Sequence, residues 1–215
     1  MSERGAYDQA PGYEHDVFIN CPFDDAYLPI LHGLIFAVFA CGLRARSAQD
    51  VANGAETRIE KIARIIRDCR WAIHDISRTE PNSQGLPRFN MPLELGLFLG
   101  ARRFGNGVQK RKSCLVLDRQ LYRYQAFISD IAGQDIAAHG DDVHSAIKAV
   151  RDWLATERAG IAHPPGGGAI SERFNRFTAD LPLICIETAR RPAELTFTEF
   201  ADAATTWLRI DVQST

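Results

Sequence analysis

The chain lacks any long apolar run: no stretch of its 215 residues approaches the ~18 uncharged residues of a membrane-spanning helix. Its start, Met1-Ser-Glu-Arg-Gly-Ala-Tyr-Asp8, lacks the apolar centre of a signal peptide, so the expected location is the cytoplasm with no membrane attachment. Cysteine is sparse. Cys21, Cys41, Cys69, Cys114 and Cys185 are far apart, odd in number and include no Cys-x-x-Cys pair, which argues against a disulfide framework and a zinc site. At least four read as small buried apolar residues. Charge imbalance is missing too: a formal net charge of -2 gives no general attraction to nucleic acid or anionic lipid, although a local basic patch can still bind phosphate. Lys110-Arg-Lys112 has no neighbouring aromatics for base stacking and reads as a solvated run. There is no P-loop or paired-histidine zinc motif, and Gly105-Asn-Gly107 lacks the third glycine of a dinucleotide fingerprint and follows a helix. His32, His74, His139 and His144 have no ligand spacing, so neither a metal nor a resident cofactor is expected.

What is present is an ordinary globular composition, 46% hydrophobic and 24% charged, in a chain of about one generous domain. Residues 1–13 are polar and rich in turn-formers, and read as a flexible arm. His15-Asp-Val-Phe-Ile-Asn20 is short and apolar, as a buried first strand should be. Leu28, Leu31, Ile35, Val38 and Phe39 then recur at helical spacing, and Gly42 sits where a helix exits through a left-handed residue. Leu43 to Ala48 contains a short second strand. Thr57-Arg-Ile-Glu60 is a capping box opening a helix whose face runs Ile59, Ile62, Ile66, Cys69. Trp71 to Ile76 is a third strand and Ser77 to Arg88 a long polar loop, a length that often carries function. Asn90 is a candidate cap for a helix whose residues Leu93 to Ala101 are nearly all apolar, which predicts burial on most sides. Ser113 to Leu117 is a fourth strand, Tyr122 to Ala132 a helix, Asp135 to Ala138 a fifth strand, and Asp141 caps a helix through Leu154.

Five strand-then-helix repeats specify a parallel sheet with helices on both faces, order 2-1-3-4-5, a flavodoxin-like three-layer α/β fold over residues 14–158. His163-Pro-Pro-Gly-Gly-Gly168 opens a linker. Residues 159–215 then form a linker and small helical extension, with a short helix around Phe174 and Phe177 and a second capping box, Thr196-Phe-Thr-Glu199, packed on the sheet domain.

Ligands of open parallel sheets bind beyond the carboxyl ends of the strands, where strand order reverses, here between strands 1 and 3. That rule selects Asn20, Cys21, Phe23 and Asp24 after the first strand, Asp75, Ser77 and Arg78 after the third, and Asn90, Met91 and Glu94 at the helix beyond the loop. Glu94 stands out because a carboxylate among Leu93, Leu95, Leu97 and Phe98 is costly to bury unless paired or open to a cleft. Its plain alternative is an acid favoured by the helix dipole in a first turn. Asp75 reads equally as a ribose or arginine partner and as a loop-capping aspartate, and Asp25 as a cap of the first helix. Cys21 has no local histidine to activate it as a nucleophile.

Asp16-Val-Phe-Ile-Asn20, a third strand ending Asp75-Ile-Ser77, and a buried helix carrying Glu94 resemble the TIR-domain superfamily of bacterial NAD-cleaving effectors. Asn90-x-x-x-Glu94-Leu-Gly96 ahead of an apolar strand is similar to nucleoside 2-deoxyribosyltransferases, whose nucleophile is a glutamate followed two residues later by glycine. Arg88-Phe-Asn-Met-Pro92 stands where the TIR pattern has a serine and a Trp-Cys pair, and no residue from Asp211 to Thr215 matches the terminal residue that the transferases supply to a neighbouring subunit. The resemblance implies cleavage of the C–N glycosidic bond of NAD or a related nucleotide, which is substrate and not cofactor. Glu94 would stabilise or capture the ribosyl cation, Asp75 position the ribose or handle a proton, Asn20 and Ser77 bind hydroxyls, and Arg78 or Arg58 meet a phosphate. It further implies an antiphage effector that works as a homo-oligomer or with an activating partner. Base exchange between nucleosides and silent nucleotide or partner binding are the competing readings.

Overall fold

The computed structural model describes residues 10–50, 55–81 and 84–213. Strands β1 (Asp16–Asn20), β2 (Arg44–Arg46), β3 (Trp71–Asp75), β4 (Ser113–Asp118) and β5 (Ile136–Ala138) form one all-parallel sheet in the order β2-β1-β3-β4-β5, a flavodoxin-like layout. β1 and β3 are buried throughout, as central strands covered on both faces must be, which is why they read as apolar runs. On one face lie α1 (Leu28–Ala40) and α4 (Val143–Thr156); on the other lie α2 (Arg58–Asp68) and α3 (Asn90–Phe104). Adjacent strand residues alternate between them: Val17 and Ile73 pack toward α1, while Phe18 and Ala72 pack toward α2 and α3.

Local chemistry explains the helix ends. Gly42, at φ +78, closes α1 with its N–H on the Phe39 carbonyl. The Thr57 box opens α2, the side chain receiving the Glu60 N–H while Glu60 reaches back to the Thr57 N–H. The buried face of α2 uses Ile62, Ile65 and Ile66; Ile59 lies outside it, exposed. α1 and α4 approach so closely that a Cβ on Gly33 would meet Val143 Cγ2 at 2.4 Å.

α5 (Gly167–Glu187) and α6 (Phe197–Gln213) form a third helical layer outside α1 and α4. Phe36 of α1 contacts Phe174, Phe177 and Trp207, with ring centroids 5.5, 5.4 and 6.1 Å away, and His32 stacks on Phe200 at 3.7 Å. These aromatics share one core with the sheet, so α1, which is apolar nearly all round, is covered on both sides. The helix expected around Phe174 and Phe177 is long, 21 residues, with its start against Lys148 of α4 and its two phenylalanines on Phe36 of α1.

Other expectations are corrected. Tyr122 to Ala132 does not form an α-helix: Tyr122 takes φ +63, and two short 3₁₀ turns, Arg123–Ala126 and Ser129–Ile131, follow. Arg123 fixes the first of them by donating from Nε to Asp118 (2.8 Å) and from Nη2 to the Ile76 carbonyl (2.7 Å). Asn90 does not cap α3, because Phe89 already has helical angles and Asn90 is inside the first turn. Asp142, not Asp141, caps α4, accepting the Ser145 N–H at 2.7 Å, since Asp141 is held at φ +58 in the preceding turn. α3 is buried on one side only, with Leu93 and Gly96 exposed. The end of the supposed loose arm is anchored: Tyr13 is buried and donates to the Val108 carbonyl at 2.7 Å, while residues 1–9 lie outside the described part.

Candidate active site

The turn after β1, the start of α2, the loop after β3 and the first turn of α3 enclose a cleft of about 410 Å3 at the switch point. Its walls are Cys21, Pro22, Phe23, Asp24, Arg58, Arg78, Arg88, Asn90 and Met91. Six of the residues selected from sequence are thus brought together: Cys21, Phe23, Asp24, Arg78, Asn90 and Met91. Arg58, named for a phosphate, joins them; Pro22 and Arg88 were missed. Arg88 arrives because the loop folds back on itself through an antiparallel bridge between Pro81 and Pro87, a contact that no local sequence signal announces.

Glu94 lies just behind this wall. It is 4% exposed, packed on a helix beside Leu95 and Phe98, and among the described residues its charged neighbour is Arg58, whose guanidinium stands 4.0 Å from its carboxylate. Burial pushes its carboxyl up to about 7, and Arg58 restrains the rise. The helix dipole acts within the first turn, and Glu94, the fifth residue of α3, lies past it.

Asn20 is also buried. Its amide donates to the Met91 carbonyl at 3.0 Å and to His74 Nδ1 at 2.9 Å, tying β1 to α3 and leaving its Oδ1 with no hydrogen-bond partner among the described residues. His74, receiving at Nδ1 and enclosed by Phe18 and Phe98, is pushed by burial down to about 3 and is neutral. Asn20 thus places Met91, and with it the start of the helix that carries Glu94.

Asp75 lies on the other face. Its carboxylate is 0% exposed, accepts the Tyr27 hydroxyl at 2.6 Å and the Ser77 N–H at 2.8 Å, and faces His139 Nε2 at 3.0 Å, off the line of a hydrogen bond. His139 accepts the Asp141 N–H at Nδ1, which assigns its neutral-ring proton to Nε2, toward Asp75. Ser77 is buried with a hydroxyl that has no hydrogen-bond partner among the described residues. Neither Asp75 nor Ser77 lines the cleft; they close the sheet beneath α1 and α4. Arg78 connects the two sides, with Asp24 at 4.0 Å and Asp141 at 3.7 Å.

Cys21, although on the cleft wall, is fully buried, and burial together with Asp75, Glu94 and Asp24 pushes its thiol well above the usual range, the reverse of an activated nucleophile. All five cysteines are free. Among the described residues no group of three His, Cys, Asp or Glu side chains is placed to hold a metal, and no helix is long and apolar enough to cross a membrane. Comparison of the chain with protein-family models, curated proteins and solved structures found no match.

Proposed function

We propose that the protein is an N-glycosidase that cleaves the C–N bond between the ribose and the base of NAD or a related nucleotide, acting through Glu94 as an oligomeric or partner-activated effector. The observation that supports this best is the pairing of a buried carboxyl, held near neutrality in its ionisation, with an arginine that also lines a cleft containing two further arginines. The three guanidiniums suit phosphate oxygens, which Arg58 would meet by turning from Glu94 toward the cleft. In NAD the positive nicotinamide ring then replaces Arg58 as the counter-charge of Glu94. As the C–N bond breaks, its electron pair leaves with nicotinamide, and the cation forming on the ribose is stabilised or captured by the carboxylate before water completes hydrolysis. Asn20 acts in this reading through Met91 and α3, and Asp75 through the frame that holds Arg78.

The test incubates the purified protein with NAD and with a nucleoside mixture, with and without a free base, beside Glu94→Gln, and follows products chromatographically. Nicotinamide release that vanishes in the variant supports the proposal. Exchange that requires the free base assigns a transferase instead. No turnover, with a thermal stabilisation by nucleotide that survives the substitution, assigns a binding module.

A further inference from the structure

Glu94 is buried behind the cleft and is not part of its wall, whereas Asn90 and Met91, one helical turn earlier on α3, do line it, so the carboxylate lies on the side of α3 turned toward the cleft. Arg58 belongs to both places: it lines the cleft, and among the described residues it is the cation paired with Glu94. Its side chain is 60% exposed, yet its root is fixed, because it is the first residue of α2, directly after Thr57, whose capping box holds that turn. At 4.0 Å the two charges are beyond hydrogen-bond length, so the contact is weak and a closer anion can replace it. The other two arginines of the cleft are placed differently: Arg78 is held between Asp24 at 4.0 Å and Asp141 at 3.7 Å, and Arg88 is exposed on the folded loop.

We infer that Arg58 is a door on Glu94 that a phosphate group of the substrate opens, which makes it the residue that separates nucleotides from nucleosides; this rests on the glycosidase reading of the cleft. A nicotinamide glycoside brings a positive ring to the carboxylate, and that ring and the Arg58 guanidinium repel one another at the same spacing, so both cannot sit on Glu94. A phosphate drawn in by Arg78 and Arg88 offers Arg58 several charged acceptor oxygens in place of one carboxylate oxygen at 4.0 Å, and the side chain swings into the cleft and uncovers Glu94. A nucleoside enters without that anion, and Arg58 stays where it is. The phosphate therefore acts on kcat as well as on KM, since it bares the carboxylate besides holding the substrate.

Two substrates that differ only in the 5′-phosphate, nicotinamide mononucleotide and nicotinamide riboside, test this on the full chain beside Arg58→Gln, an exposed change that leaves the Thr57 box intact. In the native chain kcat for the mononucleotide is expected to exceed that for the riboside about tenfold or more, and inorganic sulfate added to the riboside to restore part of the difference. In Arg58→Gln the riboside kcat is expected to rise about tenfold, KM for the mononucleotide to rise, and sulfate to have no effect. A residue that merely holds phosphate would raise KM for the mononucleotide and leave the riboside rate unchanged, and that outcome overturns the inference. A second readout needs no turnover: the Glu94 carboxyl is titrated by carbon-13 NMR, assigned against Glu94→Gln, in sulfate and in chloride at equal ionic strength. Among the described residues, Arg58 from α2 and the un-ionised Cys21 thiol from the turn after β1 are the titratable groups beside it. Drawing Arg58 away removes the charge that favours ionisation, so sulfate is expected to raise the proton affinity of Glu94 about tenfold in the native chain and about threefold or less in Arg58→Gln. No rise in the native chain, or an equal rise in the variant, overturns the inference. Absence of turnover on every substrate beside the expected titration would refute the glycosidase reading and still support the door.

Discussion

Glu94 and Asp75 are two acids at the same end of one sheet, both buried, yet they stand on opposite faces in opposite chemical situations. Asp75 is satisfied: the Tyr27 hydroxyl and the Ser77 N–H donate to it, and it ties the β1–α1 turn to the end of β3 beside the loop before α4. Glu94 has, among the described residues, one cation at 4.0 Å, an apolar helix around it, and a carboxyl that burial pushes up to about 7. Burial alone therefore does not mark a functional acid. A saturated carboxylate is frame, and an under-partnered one beside an arginine-lined cleft is available for chemistry.

The contrast breaks most severely if Glu94 is neutralised. Glu94→Gln is expected to lower glycosidic turnover about a thousandfold or more while leaving the fold intact, measured by product formation beside near-ultraviolet circular dichroism. Next in size, Asp75→Ala is expected to destabilise the fold by about 2 to 4 kcal/mol in urea unfolding, since it strands the buried Tyr27 hydroxyl and Ser77 N–H. Equal stability losses at the two positions would erase the distinction between frame and site.

Stability against pH sharpens it further. The folded carboxyl of Glu94 keeps its proton up to about 7, whereas an ordinary glutamate releases it near 4.5, so this group's contribution to stability is complete at low pH and is lost as pH rises through 7. Glu94→Gln cannot lose it, and the variant is expected to be more stable than the native chain above pH 7, by about 1 to 3 kcal/mol. His74 works the other way. Held neutral down to about 3 from an ordinary 6.5, it makes the fold lose stability as pH falls between those values. The smallest effect belongs to the cleft: Arg88→Ala is expected to raise KM for a phosphorylated substrate about tenfold with kcat little changed, read from steady-state kinetics.

Much of the frame was legible in the sequence because its signals are local. Buried parallel strands read as apolar runs, Thr57 and Thr196 each stand three residues before a glutamate, and Gly42 marks a helix end, so strand order follows from handedness. The cover on α1 left a trace that a single helical face misses: Phe36 and Ala37 lie off the Leu31 and Ile35 stripe and are equally apolar, and they call for the α5 and α6 layer. The supposed helix at Tyr122 failed because long-range bonds from Arg123 to Asp118 and Ile76 set its turn. In the site, topology selects the right chain segments but not the face on which each side chain ends. Asp75 follows His74 by one residue, and strand alternation alone sends the first toward Tyr27 and the second toward Phe98. Arg58 and Arg88 are 30 positions apart and meet only across the folded loop.

The most direct test is the initial rate of glycosidic cleavage per folded molecule for the native protein, Glu94→Gln and Asp75→Asn, with the folded fraction of each measured in the same buffer. A rate near background is expected for Glu94→Gln at full folding, and a rate close to native for Asp75→Asn once its lower folded fraction is corrected. A well-folded Glu94→Gln that turns over at the native rate, beside a folded but inactive Asp75→Asn, would contradict it.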